Sequence, residues 1–127
     1  MNVKRYQERC VSFRDAFAAL KEALAQPKNS FIRDSVIQRF EFTYELGWKA
    51  MKLWLEGKEI DVRNARDTLK EALEQGLIRD GNGWSELHRA RNLTSHTYDV
   101  ALAEQVYEII ANRAVPLFEA LDAAFRA

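Results

Sequence analysis

Residues 31–56 read FIRDSVIQRFEFTYELGWKAMKLWLE, and this segment decides the fold. Its apolar residues recur every three or four positions, which predicts one long helix ending at Gly57. They form two stripes: Ile37, Phe40, Tyr44, Gly47, Met51 and Trp54 on one face, and Phe42, Leu46, Ala50 and Leu53 on another. A helix that is apolar on two sides must bury both. We expect one side to pack on the preceding helix, and the other on later helices or on a second copy of the chain.

Gly47 lies in the middle of this segment, where glycine costs about 1 kcal/mol of helix stability relative to alanine. The close approach of a neighbouring helix would offset that cost. We therefore predict a tight helix–helix contact at this position.

The preceding segment predicts a first helix from near the N-terminus to about Gln26. Its apolar residues keep alternate spacings of three and four over three heptads: Val3, Tyr6, Cys10, Phe13, Phe17, Leu20 and Leu24. Pro27 ends the helix, and Asn29 or Ser30 is expected to cap the next one. Cys10 lies within the apolar seam, so we expect a buried structural thiol.

The chain after residue 57 predicts three more helices. The third covers Ala65–Gln75, with Leu69, Ala72 and Leu73 inward and Gly76 as its end, and residues 79–83 follow as a loop. The fourth runs from Trp84 to Ser95. The fifth begins at Asp99, a plausible N-cap, and runs to about Phe125 with a kink at Pro116. No repeat or domain boundary interrupts residues 1–127, so we predict a single all-α domain.

The composition excludes several classes of protein. The 19 basic and 19 acidic residues cancel, so no strong overall field attracts nucleic acid or an anionic membrane. A single Cys allows no intramolecular disulfide, and no apolar run is long enough to cross a membrane. Two His and one Cys, spread over three places in the chain, argue against a structural zinc site, and no glycine-rich phosphate loop is present. We expect a cytoplasmic protein with neither cofactor nor metal.

Residues 91–98, RNLTSHTY, are the candidate site. His88, Arg91, Asn92 and Ser95 recur at helical spacing, and His96 directly follows, which makes one polar stripe with His88 and Ser95 in supporting positions. Arg and His facing one cleft suit a phosphodiester, because His can move a proton and Arg can stabilise charge on phosphoryl oxygens.

One structural alternative competes with this hypothesis. Arg91 can simply pair with a carboxylate, while His96 closes the helix. Glu41 and Glu45 are interpreted as a solvated stripe, or as partners of Arg39 and Lys49.

Hydrolysis of RNA usually needs both an acid and a base, which one His in this segment does not supply. A two-fold dimer would bring two Arg–His pairs together.

Residues 91–98 also resemble the R-x4-H-x-Y signature of HEPN domains, including the polar residue after the Arg. Residues 33–49 resemble the second helix of the nucleotidyltransferase substrate-binding protein family, whose members pair with minimal nucleotidyltransferases of the MNT type. This resemblance implies an up-and-down antiparallel bundle of four to five helices that dimerises. It also implies that an adjacent gene encodes the nucleotidyltransferase partner.

The resemblance implies a function in one of two forms. In the first, the chain is the toxin of a two-gene toxin–antitoxin-like system, a metal-independent RNase with Arg91 and His96 in its active site, supported by Asn92. The partner would silence it by adding AMP to Tyr98. In the second, the chain is a non-catalytic subunit that presents substrate to the transferase. The residues alone favour a simpler role for Tyr98, which is to pack its ring and bond its hydroxyl.

Overall fold

The computed structural model describes residues 2–127 and contains only helices and their connections there. The helices are α1 (Val3–Leu24), α2 (Ser30–Glu56), α3 (Ala65–Glu74), α4 (Gly81–Leu93), α5 (Val100–Ile109) and α6 (Val115–Arg126). A 3₁₀ turn, Thr94–His96, follows α4, and a π-helical turn, Ile110–Ala114, joins α5 to α6. The predicted all-α bundle is confirmed. None of the helices within residues 2–127 combines the length and the apolar character needed to cross a bilayer.

A side-chain cap begins each of the first five helices. The capping oxygens belong to Asn2, Asn29, Asn64, Asp80 and Asp99, and each accepts a hydrogen bond from a backbone N–H of the first turn. The caps at Asn29 and Asp99 were predicted. The predicted loop over residues 79–83 is correct for residues 79 and 80 only, because Asp80 Oδ1 accepts from Gly83 N at 2.9 Å and starts α4 at Gly81.

The core is an aromatic cluster centred on Phe118 of α6. Its ring lies 5.6–6.0 Å, centroid to centroid, from the rings of Phe13, Phe17, Phe40 and Trp84. These rings come from α1, α2 and α4, so one side chain joins four helices. Phe118 is fully buried, and most of its contacts are edge-to-face, the favoured arrangement for aromatic pairs.

The tight contact predicted at Gly47 is confirmed. A Cβ at this position would lie 3.2 Å from the Phe13 ring of α1 and 3.5 Å from Leu121 Cδ2 of α6.

Two apolar residues that were predicted to face the core are instead exposed at the edges of the bundle. Val3, in the first turn of α1, is 54% exposed, and Leu73, in the last turn of α3, is 41% exposed. Cys10 is buried as predicted, and this burial raises the pKa of its thiol.

The predicted fifth helix is two helices joined by a π-helical turn. Proline has no backbone N–H and its ring crowds the carbonyl four residues earlier. Ile110–Ala114, which precede Pro116, take up this disturbance by changing to π-helical bonding, while the chain continues as helix to Arg126.

The second apolar face of α2 is only partly covered. Ala50 and Leu53 are buried and Leu46 is half-buried, whereas Phe42 is 54% exposed. Phe31, near the start of the same helix, is 82% exposed. The C-terminal half of this face therefore packs within the chain, and the N-terminal half is open.

We predict that Phe118→Ala lowers the free energy of unfolding by about 3–5 kcal/mol, because it empties the centre of the aromatic cluster. Urea unfolding followed by circular dichroism measures the change. Val11→Ala, at an exposed position of α1, should change stability by no more than about 0.5 kcal/mol. Similar losses in the two variants would contradict the central role of Phe118.

Candidate functional site

Hydroxyl side chains shape the segment between α4 and α5. Thr94 Oγ1 donates to the Arg91 carbonyl oxygen at 2.7 Å, and Thr97 Oγ1 donates to the Thr94 carbonyl oxygen at 3.1 Å. The predicted fourth helix does not continue as α-helix to Ser95, because α4 ends at Leu93 and tightens into the 3₁₀ turn Thr94–His96. The polar segment is thus a defined turn held by its own side chains.

Arg91 is fixed by a carboxylate of α2. Its Nε and Nη2 lie 2.6 and 2.5 Å from Glu45 Oε1, and Glu45 Oε2 accepts a hydrogen bond from Trp48 Nε1 at 2.9 Å. The expectation that Glu45 pairs with Arg39 or Lys49 is wrong, and the carboxylate alternative for Arg91 is correct. Its Nη1 makes no bond within residues 2–127 and remains available to a ligand.

His88 is held by α2 as well. Its Nδ1 lies 2.7 Å from the hydroxyl oxygen of Tyr44, a fully buried residue. That hydroxyl has no other partner within residues 2–127, so its proton is best satisfied by donation to Nδ1. The imidazole proton then lies on Nε2. Partial burial, followed by the charges of Arg91 and Arg66, lowers the pKa of His88.

The remaining predicted residues are exposed. His96 makes no side-chain hydrogen bond within the described residues, and its ring stands edge-on to that of Tyr98, 6.3 Å between centroids. Tyr98 is 85% exposed and its hydroxyl is also unbonded within residues 2–127. Asn92 and Ser95 are exposed on α4 and in the following turn. A single chain therefore pairs His96 with Tyr98, and no hydrogen bond joins His96 to Arg91.

A groove of about 670 Å³ opens beside Arg91, and we call it the central groove. Its lining includes Trp48, Arg63, Asn64, Arg66, His88 and Arg91. Arg63 and Arg66 were missed from the sequence, because they lie in the connector and first turn before α3 and belong to no motif.

Metal chemistry has no evident ligand set in this part of the chain. Among residues 2–127, no cluster of three or more His, Cys, Asp and Glu side chains is placed to hold a metal ion. The groups gathered here are guanidinium, imidazole and indole, which suit an anion with an aromatic portion.

Comparison with known proteins places the chain among relatives of the same fold. Residues 8–127 match the family model described as nucleotidyltransferase substrate binding protein like. A Haemophilus influenzae protein named probable ribonuclease HepT is 37% identical, with 72% of this chain and 75% of that protein covered.

Two solved structures agree. A Thermus thermophilus protein has a TM-score of 0.83 and 31% identity, covering 91% of this chain and 99% of that one. A Haemophilus influenzae protein, described as having the fold of a substrate-binding domain of a nucleotidyltransferase, has a TM-score of 0.82 and 31% identity, covering 93% and 99%. The chain belongs to the nucleotidyltransferase substrate-binding protein family.

The lowered pKa of His88 predicts a loss of stability in mild acid. The unfolded chain takes up a proton near the ordinary pKa of about 6.5, whereas folded His88 resists it, so the free energy of unfolding falls as the pH drops through that value. His88→Asn can still accept from Tyr44 but does not titrate. Urea unfolding from about pH 7 to 5 should therefore show a shallower decline for this variant.

Ser95→Ala, which alters an exposed residue without a titratable group and keeps His88, serves as the control and should retain the wild-type decline. An equal decline in His88→Asn and the wild type would show that other groups cause it.

Proposed function

We propose that this chain is the ribonuclease subunit of a two-gene toxin–antitoxin-like system, paired with a minimal nucleotidyltransferase of the MNT type. The observation that carries the proposal is an exposed His96, whose imidazole makes no hydrogen bond within residues 2–127, in the turn after a guanidinium that Glu45 fixes. Family membership and the relative named as a probable ribonuclease support the same conclusion.

The proposed reaction is transesterification of RNA by protein side chains. His96 takes the proton of a 2′-hydroxyl as its oxygen attacks the adjacent phosphorus, and the bond from phosphorus to the 5′-oxygen breaks. Arg91 Nη1 stabilises the negative charge that builds on the non-bridging oxygens, and Asn92 supports the phosphate. The leaving 5′-oxygen takes a proton from His96 of the second protomer. A 2′,3′-cyclic phosphate and a 5′-hydroxyl result.

The second protomer is proposed to dock on the open face of α2. Phe31 and Phe42 are eleven positions apart, which puts both on one side of the helix. Phe31 lines a shallow groove together with Thr94 and Thr97 of the polar segment. An apolar contact through these rings would bury surface that is costly to leave exposed, and it would bring two polar segments together.

Tyr98 is proposed as the site of regulation. Its exposed hydroxyl would attack the α-phosphorus of ATP at the partner's active site, lose its proton, and release pyrophosphate. The AMP so attached would stand against the His96 ring. A bulky anion in that place would exclude an RNA phosphate from the imidazole.

We expect His96→Ala to abolish RNA cleavage while the protein keeps wild-type helicity and its mass in sedimentation. Loss of a general acid–base group costs about 10²- to 10⁴-fold in rate. Glu119→Ala, at an exposed position on α6, should cleave like the wild type. Cleavage by the wild type and by Glu119→Ala should be the same with and without EDTA. Undiminished cleavage by His96→Ala would remove the assignment.

Modification of Tyr98 predicts a mass gain of one AMP on the peptide that contains it, after incubation with the nucleotidyltransferase and ATP. Tyr98→Phe should gain no AMP, because the accepting oxygen is absent. Tyr107→Phe, a half-buried tyrosine of α5, should be modified normally. The same mass gain on Tyr98→Phe would place the acceptor elsewhere.

The second candidate function is a non-catalytic adaptor that presents substrate to the nucleotidyltransferase. It is favoured by the solved relative described as the substrate-binding domain of such an enzyme. The adaptor would form a stable complex with the transferase and cleave no RNA even at high protein concentration. Cleavage of RNA by the wild-type chain, lost in His96→Ala, therefore separates the two functions.

A further inference from the structure

Three grooves adjoin on the face that carries Arg91. The first, about 270 Å³, lies between α1 and α2 and shares Trp48 with the central groove. The third, about 540 Å³, lies between α3 and α4 and shares Arg66 and His88 with the central groove. Each groove shares lining residues with the next, so the three are adjacent, and together we call them the basic track.

The track holds nine of the chain's 19 basic residues. Its first groove contributes Arg5, Arg9, Lys49 and Lys52. The central groove adds Arg63, Arg66 and Arg91, and the third groove adds Lys70 and Arg89. The acidic lining consists of Glu56 in the first groove and Asp67 in the central one. A chain of zero net charge thus has a strongly positive face.

Most basic side chains of the track have no carboxylate partner, unlike most basic side chains elsewhere in residues 2–127. Only Arg91 among the nine has a carboxylate within 4.0 Å in residues 2–127. Most of the remaining basic residues are paired with carboxylates: Arg14, Lys28, Arg33, Arg39, Arg113 and Arg126. Lys21 and Lys58 lie over the rings of Phe17 and Trp54. Unneutralised charge is therefore concentrated on the track, where an external polyanion can supply the missing partners.

Trp48 lies where the first two grooves meet. Its indole N–H is held by Glu45 at 2.9 Å, and its side chain is half-buried, so the ring is oriented while part of it faces the grooves. A fixed aromatic ring among basic side chains is the arrangement that binds single-stranded nucleic acid, because bases stack on the ring while cations follow the backbone.

We propose that the basic track binds single-stranded RNA of several nucleotides, with a base stacked on Trp48 and the backbone led across Arg63 and Arg66 to the polar segment of residues 91–98. This inference rests on the proposed function, since it makes RNA the substrate. It goes further by assigning binding to α1, α2 and α3, none of which contributes a catalytic group. A mononucleotide would occupy one groove only and would leave the other cations unpaired.

Fluorescence anisotropy tests the track. The probe is a labelled single-stranded RNA of about 12 nucleotides, within the usual site size for such proteins. The protein is the full chain carrying His96→Ala, so that cleavage does not enter the measurement. Adding Arg63→Glu and Arg66→Glu should weaken binding by about 10- to 100-fold at low salt. It should also reduce the slope of log affinity against log salt concentration by about two.

The matched control is Lys21→Glu with Arg79→Glu, which changes the net charge equally but lies outside the track. In the His96→Ala chain, this control pair should leave RNA binding nearly unchanged. Equal weakening in the two double variants would mean that only overall charge matters, and would overturn the proposal. Circular dichroism of each variant establishes that the helices are intact.

Trp48 gives an independent arm. Trp48→Ala should weaken binding by roughly 5- to 150-fold, the usual loss for one stacked base, whereas Trp48→Phe keeps an aromatic ring and should recover most of it. Unchanged binding by Trp48→Ala, or competition by AMP at the same nucleotide concentration as RNA, would overturn the proposal. Binding and cleavage are measured separately. If the track binds RNA but the wild-type chain cleaves none, only the proposed ribonuclease function is overturned.

Discussion

Two neighbouring residues of α2 hold two residues of α4, and the polar features of the site depend on this pairing. Tyr44 bonds His88, and Glu45 bonds Arg91 one turn later. Leaving the buried Tyr44 hydroxyl without a partner would cost about 1–3 kcal/mol, so this bond fixes the register of the two helices. The Arg91–Glu45 pair is partly exposed and adds little to stability by itself. Its importance is geometric, because it presents one edge of the guanidinium to the central groove.

The aromatic core determines how that pairing is placed. Trp84, Leu87 and Ala90 form the buried side of α4, with Trp84 against the Phe118 ring. His88 and Arg91 each follow a buried residue by one position, which rotates them about 100° from the core. They therefore emerge between α2 and α3 at the edge of the bundle. The core decides which α4 side chains can reach a ligand, although it contains none of them.

Local signals in the sequence predicted most of the helices. Alternating apolar spacing gave α1 and α2, Gly76 gave the end of α3, and Asp99 gave the start of α5. The failures share a cause, which is that the deciding contact lies outside the local sequence. The start of α4 depends on the Asp80 side chain reaching Gly83 across a glycine-rich segment that reads as a loop. The π-helical turn before Pro116 depends on how a helix absorbs a missing N–H.

The sequence selected candidate residues but not their partners. The helical stripe marked His88, Arg91, Asn92, Ser95 and His96, and the role of Tyr98 came from the family resemblance. Spacing cannot say which carboxylate of α2 faces Arg91, because 46 positions separate Arg91 from Glu45. Arg63 and Arg66 were missed for the same reason. Their significance comes from α3 packing beside α4, and no periodicity in residues 61–66 indicates it.

The zero net charge of the chain does not favour RNA binding, but the distribution of charge over the folded surface does. At physiological salt the Debye length is about 8 Å, so a phosphate responds to charges near it and not to the total. Carboxylates such as Glu104 and Asp122 are already bound to Lys28, Arg33, Arg14 and Arg126. Those acids neutralise their own neighbours and leave the track uncompensated. Ion pairing on one part of the surface is thus what allows a neutral chain to present a cationic face on another.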